Sequence, residues 1–423
     1  MAALGIAFLI LGLLASVAIH ELGHLLPAKR FGVKVSQYFI GFGPTLWSTT
    51  RGGTEYGIKA IPLGGFVRIA GMLAPARPGT PVEKNGQITV AEEARQASAA
   101  ELGPGEEHQA FWRLTAPKKL AVMFGGPLTN LVLAALLIAG VVSGIGISQP
   151  TTAVGAIMPC VGQAEADQCE GKEPSPAALS GLEVGDVIVE WGRREVATWP
   201  ELSAAIAQGG TGQVTVRVLR GGEPADVVIT PVPVEQTKQN EVGEAEVREV
   251  PYAGIAPAFE RQRQPFTRAA DVTATIAAGT AKVVLTLPAQ LWHMATNLVT
   301  GGERDQTGVV GIVGVADIAG NITSSNAVNY TAADRVADLT MLLAGLNMSL
   351  FVFNMIPLLP LDGGHILGAI LEGTRRTIAK ARGKADPGPF DTARLLPLSN
   401  AVFFALIAMT ILLIVADIVN PVV

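Results

Sequence analysis

The chain has 423 residues, 49% of them hydrophobic and only 16% charged, with a formal net charge of −5. That length admits several domains, and the positive mean hydropathy excludes an ordinary soluble protein. The acidic balance, with no basic cluster interleaved by aromatics, argues against nucleic acid as a partner.

Residues 1–19 carry no charged side chain, and residues 4–26 are long enough to cross a bilayer as a helix. The segment lacks a basic start and a small-residue cleavage site, so it reads as a retained span rather than a signal peptide. Within it stands His20-Glu21-Leu22-Gly23-His24. Residues four apart share a helix face, so His20 and His24 can present two imidazoles to one zinc ion. Glu21, between them, is placed to take a proton from the attacking water. The pattern also arises by chance, but ionisable groups in an apolar span are costly and point to function.

The loop at 29–117 opens with Gly41-Phe42-Gly43-Pro44, then two β-prone runs around Arg51-Gly52-Gly53-Thr54. The Gly-Gly centre predicts a hairpin. Phe39, Ile40, Phe42, Leu46 and Trp47 suggest that part of it dips into the membrane; a cytosolic hairpin with a greasy edge is the plainer alternative. Residues 75–105, rich in Ala, Pro, Gly and Glu, read as a flexible cytosolic excursion. The second span, 120–142, contains Gly125-Gly126-Pro127-Leu128-Thr129-Asn130, where Asn130 either glues helices together or touches substrate.

Residues 151–234 read as a compact α+β unit of strands with one short helix over 197–207. Cys160 and Cys169 lie within it, either disulfide-bonded outside the cytosol or as two free thiols. The element order resembles the PDZ domains of bacterial extracytoplasmic proteases, which hold an extended peptide as an added strand. A PDZ-like spacer with an empty groove is the alternative. Residues 235–249 read as an acidic linker, and 266–298 as an amphipathic helix on the membrane surface that makes His293 interfacial. Residues 308–318 are apolar but too interrupted by glycine to count as a span.

The third span, 339–361, leads into Asn354-Met355-Ile356-Pro357-Leu358-Leu359-Pro360-Leu361-Asp362-Gly363-Gly364. A catalytic zinc takes three protein ligands and keeps one open position, and Asp362 is the candidate third ligand at the depth of His24. The prolines break the helix there, and the glycines allow close backbone approach. Asn354 is a candidate donor to a substrate carbonyl or its oxyanion. The fourth span is 401–418. Lys and Arg crowd the loops after the first and third spans, which places both in the cytoplasm and leaves the middle region and both termini outside.

With these motifs in this order, nearly the whole chain resembles the site-2 protease family of intramembrane zinc proteases, and most closely the regulator-of-sigma-E type of actinobacteria. The resemblance implies Zn2+ held by His20, His24 and Asp362, with Glu21 as general base. It implies that the hairpin loop at Gly41 and Gly43 helps hold an unwound substrate helix as a strand. Substrates would be single-pass membrane proteins of the anti-sigma factor type, after a first cut by a site-1 protease. Relatives in Gram-negative bacteria often carry two tandem PDZ domains; one is found here.

The expected architecture is a polytopic α-helical membrane protein of about four transmembrane helices, with a membrane-associated β-hairpin and one extracytoplasmic PDZ-like domain. Its parts are 1–28 (first helix), 29–117 (cytoplasmic loop with hairpin), 118–148 (second helix) and 149–235 (PDZ). They continue as 236–336 (linker and amphipathic helix), 337–362 (third helix with Asp362), 363–398 (cytoplasmic loop) and 399–423 (fourth helix). The expected location is the plasma membrane, in contact with the lipid bilayer, with the zinc site toward the cytoplasm and a possible peptide ligand on the PDZ domain. A non-catalytic PDZ membrane scaffold is the competing function; a metal transporter is disfavoured because no internal repeat is present.

Overall fold

In a bilayer every backbone polar group must be satisfied within the protein, so the uncharged N-terminal run has to be helical. The computed structural model describes residues 2–77, 79–84, 87–162, 169–239, 245–302, 308–325 and 330–421. Helix α1 spans Ala2–Arg30 and ends on Lys29 and Arg30, the cations that suit a helix C-terminus. Two long strands follow, β1 (Val35–Arg51) and β2 (Thr54–Ile69). They bend on themselves into a meander. The first part of β1 pairs on one side with the end of β2 (Phe39 with Phe66) and on the other with its start (Phe39 with Gly57). The second part of β1 pairs with the start of β2 (Thr50 with Glu55). Gly41 and Gly43 sit at the bend with φ of 90° and 84°, which side chains with a Cβ rarely adopt.

After the two-residue strands β3 (Glu83–Lys84) and β4 (Gln87–Ile88), the expected flexible excursion is instead partly helical. Helix α2 (Val90–Ala100) is capped by Thr89, whose side chain accepts from the Glu92 N–H. Arg95, with its side chain 3% exposed, binds Glu92 and both carboxylate oxygens of Asp391 and so ties α2 to a distant loop. A composition rich in Ala and Glu suits a helix as well as disorder, and a long-range ion pair decides between them. Helix α3 (Ala116–Ala139) follows, extended by a π-helical turn over Gly140–Ile145.

Residues Ile145–Gln264 form one compact unit and the rest of the chain another. The smaller unit contains β5 (Ile147–Ile157), α4 (Pro176–Ser180), β6 (Val187–Trp191), β7 (Arg194–Glu195), α5 (Trp199–Gly209), β8 (Val214–Arg220) and β9 (Glu223–Ile229). It continues through β10 (Val232–Gln239), β11 (Ala245–Tyr252) and β12 (Ile255–Gln262). The main sheet runs β12-β5-β6-β8-β9, with β7 on β6, over a core that includes Ile188, Leu202, Val216, Val218 and Ile229. Cys160 and Cys169 are joined in a disulfide. The boundary expected at 235 is too early, because β12 pairs with β5 and completes the sheet. The acidic 235–249 segment is the β10–β11 hairpin rather than a linker, its residues 240–244 lying outside the described residues.

The larger unit resumes with α6 (Phe266–Thr300), α7 (Ile312–Ser324) and α8 (Ala332–Asn354). The last two helices are α9 (Asp362–Ala381) and α10 (Leu396–Val419). Among the described residues, five helices are long and apolar enough to cross a membrane: α1, α3 with its π extension, α6, α8, and α10 with the turn before it. Helix α6 thus qualifies by length and composition although a surface helix was expected; α7 is too short, as its glycines suggested. The third helix ends at Asn354 rather than 361, and the expected loop after Asp362 is a 20-residue helix packed on α3. Pro357 and Pro360 end α8, and Leu361 then opens a new helix at Asp362.

Candidate metal centre

Helices α1 and α3 cross at glycine. A Cβ on Gly23 would overlap the Gly125 backbone, and one on Gly126 would overlap His24 Nε2. The glycine pair in α3 therefore exists to let the His-bearing face of α1 come into backbone contact. On the other side, Gly363 packs on the Ile356 carbonyl and Gly364 on the Leu359 amide. This folds the start of α9 tightly onto the proline-broken turn and brings Asp362 back to the helix pair.

The result is a triangle of donors. His20 Nε2 and His24 Nε2 are 3.2 Å apart, and Asp362 Oδ2 is 3.4 Å and 3.3 Å from them. Tetrahedral ligands about 2.0–2.2 Å from a zinc ion stand about 3.3–3.5 Å from one another, so the triangle fits that ion. Asp362 Oδ2 is buried with no hydrogen-bond partner, as a ligand atom should be. Among the described residues this is the group of His, Cys, Asp and Glu able to hold a metal.

The outer nitrogens of both imidazoles are held. His24 Nδ1 donates to the Val122 carbonyl at 2.8 Å, which leaves Nε2 its lone pair. Asn130 is 1% exposed, with its carboxamide 3.2 Å from His20 Nδ1 and its Oδ1 otherwise unpartnered. A half-turn of that amide lets Oδ1 accept from the Nδ1–H and frees His20 Nε2 in the same way. Asn130 thus lies against a candidate ligand, where the sequence suggested helix glue or substrate contact.

The triangle opens on a cavity of about 440 Å³ lined also by Glu21, Gly64, Gly65, Phe66, Val67 and Asn354. Gly65 lies close on Glu21: a Cβ there would stand 3.5 Å from Glu21 Cγ and 2.9 Å from Val17 Cγ1. The strand edge beside the Glu21 carboxylate is therefore the end of β2. Gly41 and Gly43 lie outside this lining and act as bend residues, with Phe42 stacked on Phe66 at 6.1 Å. Gly64 and Gly65 were missed, although a second Gly-Gly pair after a proline was a legible signal. His365 was missed as well; it lines the cavity one helical turn beyond Asp362. The Val122 carbonyl is a backbone group and carries no side-chain signal. His293 belongs to a separate cavity between α6 and α10, with Asn297 and Asn420.

The model of peptidase family M50 matches residues 8–385 of the chain. The zinc metalloprotease Rip1 of Mycobacterium tuberculosis is 35% identical over 438 residues, covering 99% of this chain and 98% of that protein. The zinc metalloprotease RasP of Oceanobacillus iheyensis is 27% identical over 85% of this chain and 88% of its own. The metalloprotease MmpA of Caulobacter vibrioides is 26% identical over 87% and 86%.

Proposed function

The chain belongs to peptidase family M50, and from that membership we propose that it is a multi-pass zinc endopeptidase cutting single-pass proteins inside the membrane. The observation that carries the reading is the His20–His24–Asp362 triangle, with Glu21 beside it, formed between α1, which is apolar enough to span, and the start of α9. His20, His24 and Asp362 hold the zinc, and Glu21 is the general base.

Zinc at this position supplies a Lewis acid that brings a water toward ionisation near neutral pH. The chain's own groups do the rest. Glu21 takes the proton of the attacking water and returns it to the leaving amine. Asn354, on the cavity wall, donates to the carbonyl oxygen of the scissile bond as charge develops there. A peptide bond within a helix is shielded by its hydrogen bonds, so the substrate must unwind before it can be cut. The outer side of β2 at Gly65–Phe66, whose other side pairs with Ile40 and Phe39 of β1, offers the unwound segment backbone partners, as a strand edge does.

The Lys and Arg of 29–117 and 363–398 support a cytoplasmic position for those segments, and with them for the metal end of α1. Residues 145–264 then stand outside as a single PDZ-like domain, where the Cys160–Cys169 disulfide is stable. That domain takes a peptide or excludes bulky ectodomains. Substrates are single-pass proteins of the anti-sigma factor type, already trimmed on the outer side.

The test is to co-express the chain or its Glu21→Gln variant with a tagged anti-sigma factor truncated outside. Cleavage within the span by the parent alone is expected, with zinc bound at one per chain in both proteins. Cleavage by Glu21→Gln would remove Glu21 from the role of base. Absence of bound zinc from both would favour a scaffold.

A further inference from the structure

The metal cavity does not end at the metal. Phe66, Val67, Ile69 and Met72 line it and also line a neighbouring cavity of about 350 Å³. Leu73 is common to that second cavity and to a third of about 470 Å³ beside α2. The spaces follow one another along the end of β2 and the turn after it, away from the membrane span of α1. The far wall is α2, which is anchored rather than loose. Arg95 binds Asp391, and Ser98 Oγ accepts from the Leu73 N–H at 3.1 Å.

The walls change character along the path. Near the metal they are apolar, with Phe66, Ile69 and Met72; at the mouth Arg68 of β2 faces Glu101 at the end of α2. Their nearest approach is 3.8 Å with Arg68 54% exposed, a loose pair of the kind worth little by itself. Such a pair exchanges partners readily. The cytosolic ends of membrane spans carry Lys and Arg, which suit Glu101.

We propose that this trough seats the cytosol-side segment of the substrate in extended form, with Glu101 pairing a basic residue just beyond the substrate's span. The inference rests on the intramembrane protease reading and adds a binding subsite to it. Its occupant is polypeptide because the trough is continuous with the place where a peptide bond is cut. A strand advances about 3.3 Å per residue, so a few residues past the scissile bond carry the chain from apolar wall to charged mouth.

The test uses the full-length, zinc-loaded chain in lipid nanodiscs. The probe is a tagged single-pass anti-sigma-type protein in two forms, one with a Lys/Arg-rich cytosolic tail and one with that tail replaced by Gly and Ser. A photo-crosslinking residue in place of Ala97, in the Glu21→Gln background, should capture the basic tail. In the active chain Glu101→Arg should raise KM for the basic-tailed form about threefold to fivefold, the range of one exposed charge pair, and leave the Gly/Ser form unchanged. Ala97→Trp, which fills the trough, should raise KM for both forms, on the order of tenfold. Zinc content equal to the parent's certifies each variant as folded. No crosslink to either tail, or an equal effect of Glu101→Arg on both forms, overturns the subsite. Failure of the protease reading is distinct: the parent then cuts neither form, whatever the crosslinker captures.

Discussion

Asn130 is a buried amide whose surroundings assign its work. It contacts the outer nitrogen of His20, and partners of that kind fix a ligand's tautomer and orientation. Asn130→Leu should therefore lower zinc affinity by about 10- to 100-fold, read by competition with a chelating dye. Unchanged affinity would return Asn130 to the role of helix glue. Gly126→Ala makes a sharper prediction, because its methyl would occupy the position of His24 Nε2. It should abolish stoichiometric zinc binding, whereas Gly140→Ala, with open space around its Cβ, should keep it. His20, His24 and Asp362 were legible as a candidate donor set because their chemistry is rare in an apolar run. The roles of Gly126 and Asn130 were not, since they depend on which helix crosses which, and no local pattern records that.

Among the elements, α9 was the least visible. Its amphipathic run follows two prolines and two glycines, which read locally as a loop. What makes it a docked helix is a buried pair: Lys119 Nζ donates to Glu372 Oε2 at 2.7 Å, with side chains 7% and 1% exposed. Removing one partner strands a buried charge. Glu372→Ala should cost about 3–5 kcal/mol in unfolding from mixed micelles, and Lys119→Met with Glu372→Leu should recover most of it. In the smaller unit, two hydrogen bonds from the Arg220 guanidinium join Asp186 to β8 and hold its carboxyl below the usual carboxylate range. A depressed pKa contributes stability above the unfolded value near 3.9 and loses it as pH falls through the folded value. Hydrogen exchange of β6 and β8 in the full-length chain should thus quicken, relative to its intrinsic rate, as pH drops below about 4. Asp186→Asn should flatten that dependence. The strands within 151–234 were legible as a group, whereas β12 escaped because its partner β5 lies far back in sequence.

Across the whole molecule, the question is which of five qualifying helices cross. Helices α3 and α10 both start at the level of α9, where Lys119 meets Glu372 and the Phe390 N–H meets the same carboxylate. They therefore run the same way and end on the opposite face. Helix α6 finishes at that far face, where Asn420 donates to the Gly302 carbonyl. Its start follows Gln262, which pairs with Ile147 just after α3. Under the proposed topology both ends of α6 fall on one side, so the expectation is a helix along the outer surface and four crossings. Single cysteines test this: one replacing Lys384 should label only from the cytoplasmic side, and ones replacing Arg268 and Gln290 both from outside. Labelling of the last two from opposite sides would make α6 a crossing.

The metal triangle joins the beginning of the chain to its last part. As the ribosome feeds the protein into the bilayer, His20 and His24 arrive first and wait through almost the entire synthesis for Asp362. On the proposed ligand set, a chain stopped short of Asp362 carries Glu21 and two imidazoles but lacks the third donor. Such a chain should not hold zinc stoichiometrically, so the site can be loaded only once synthesis has passed Asp362.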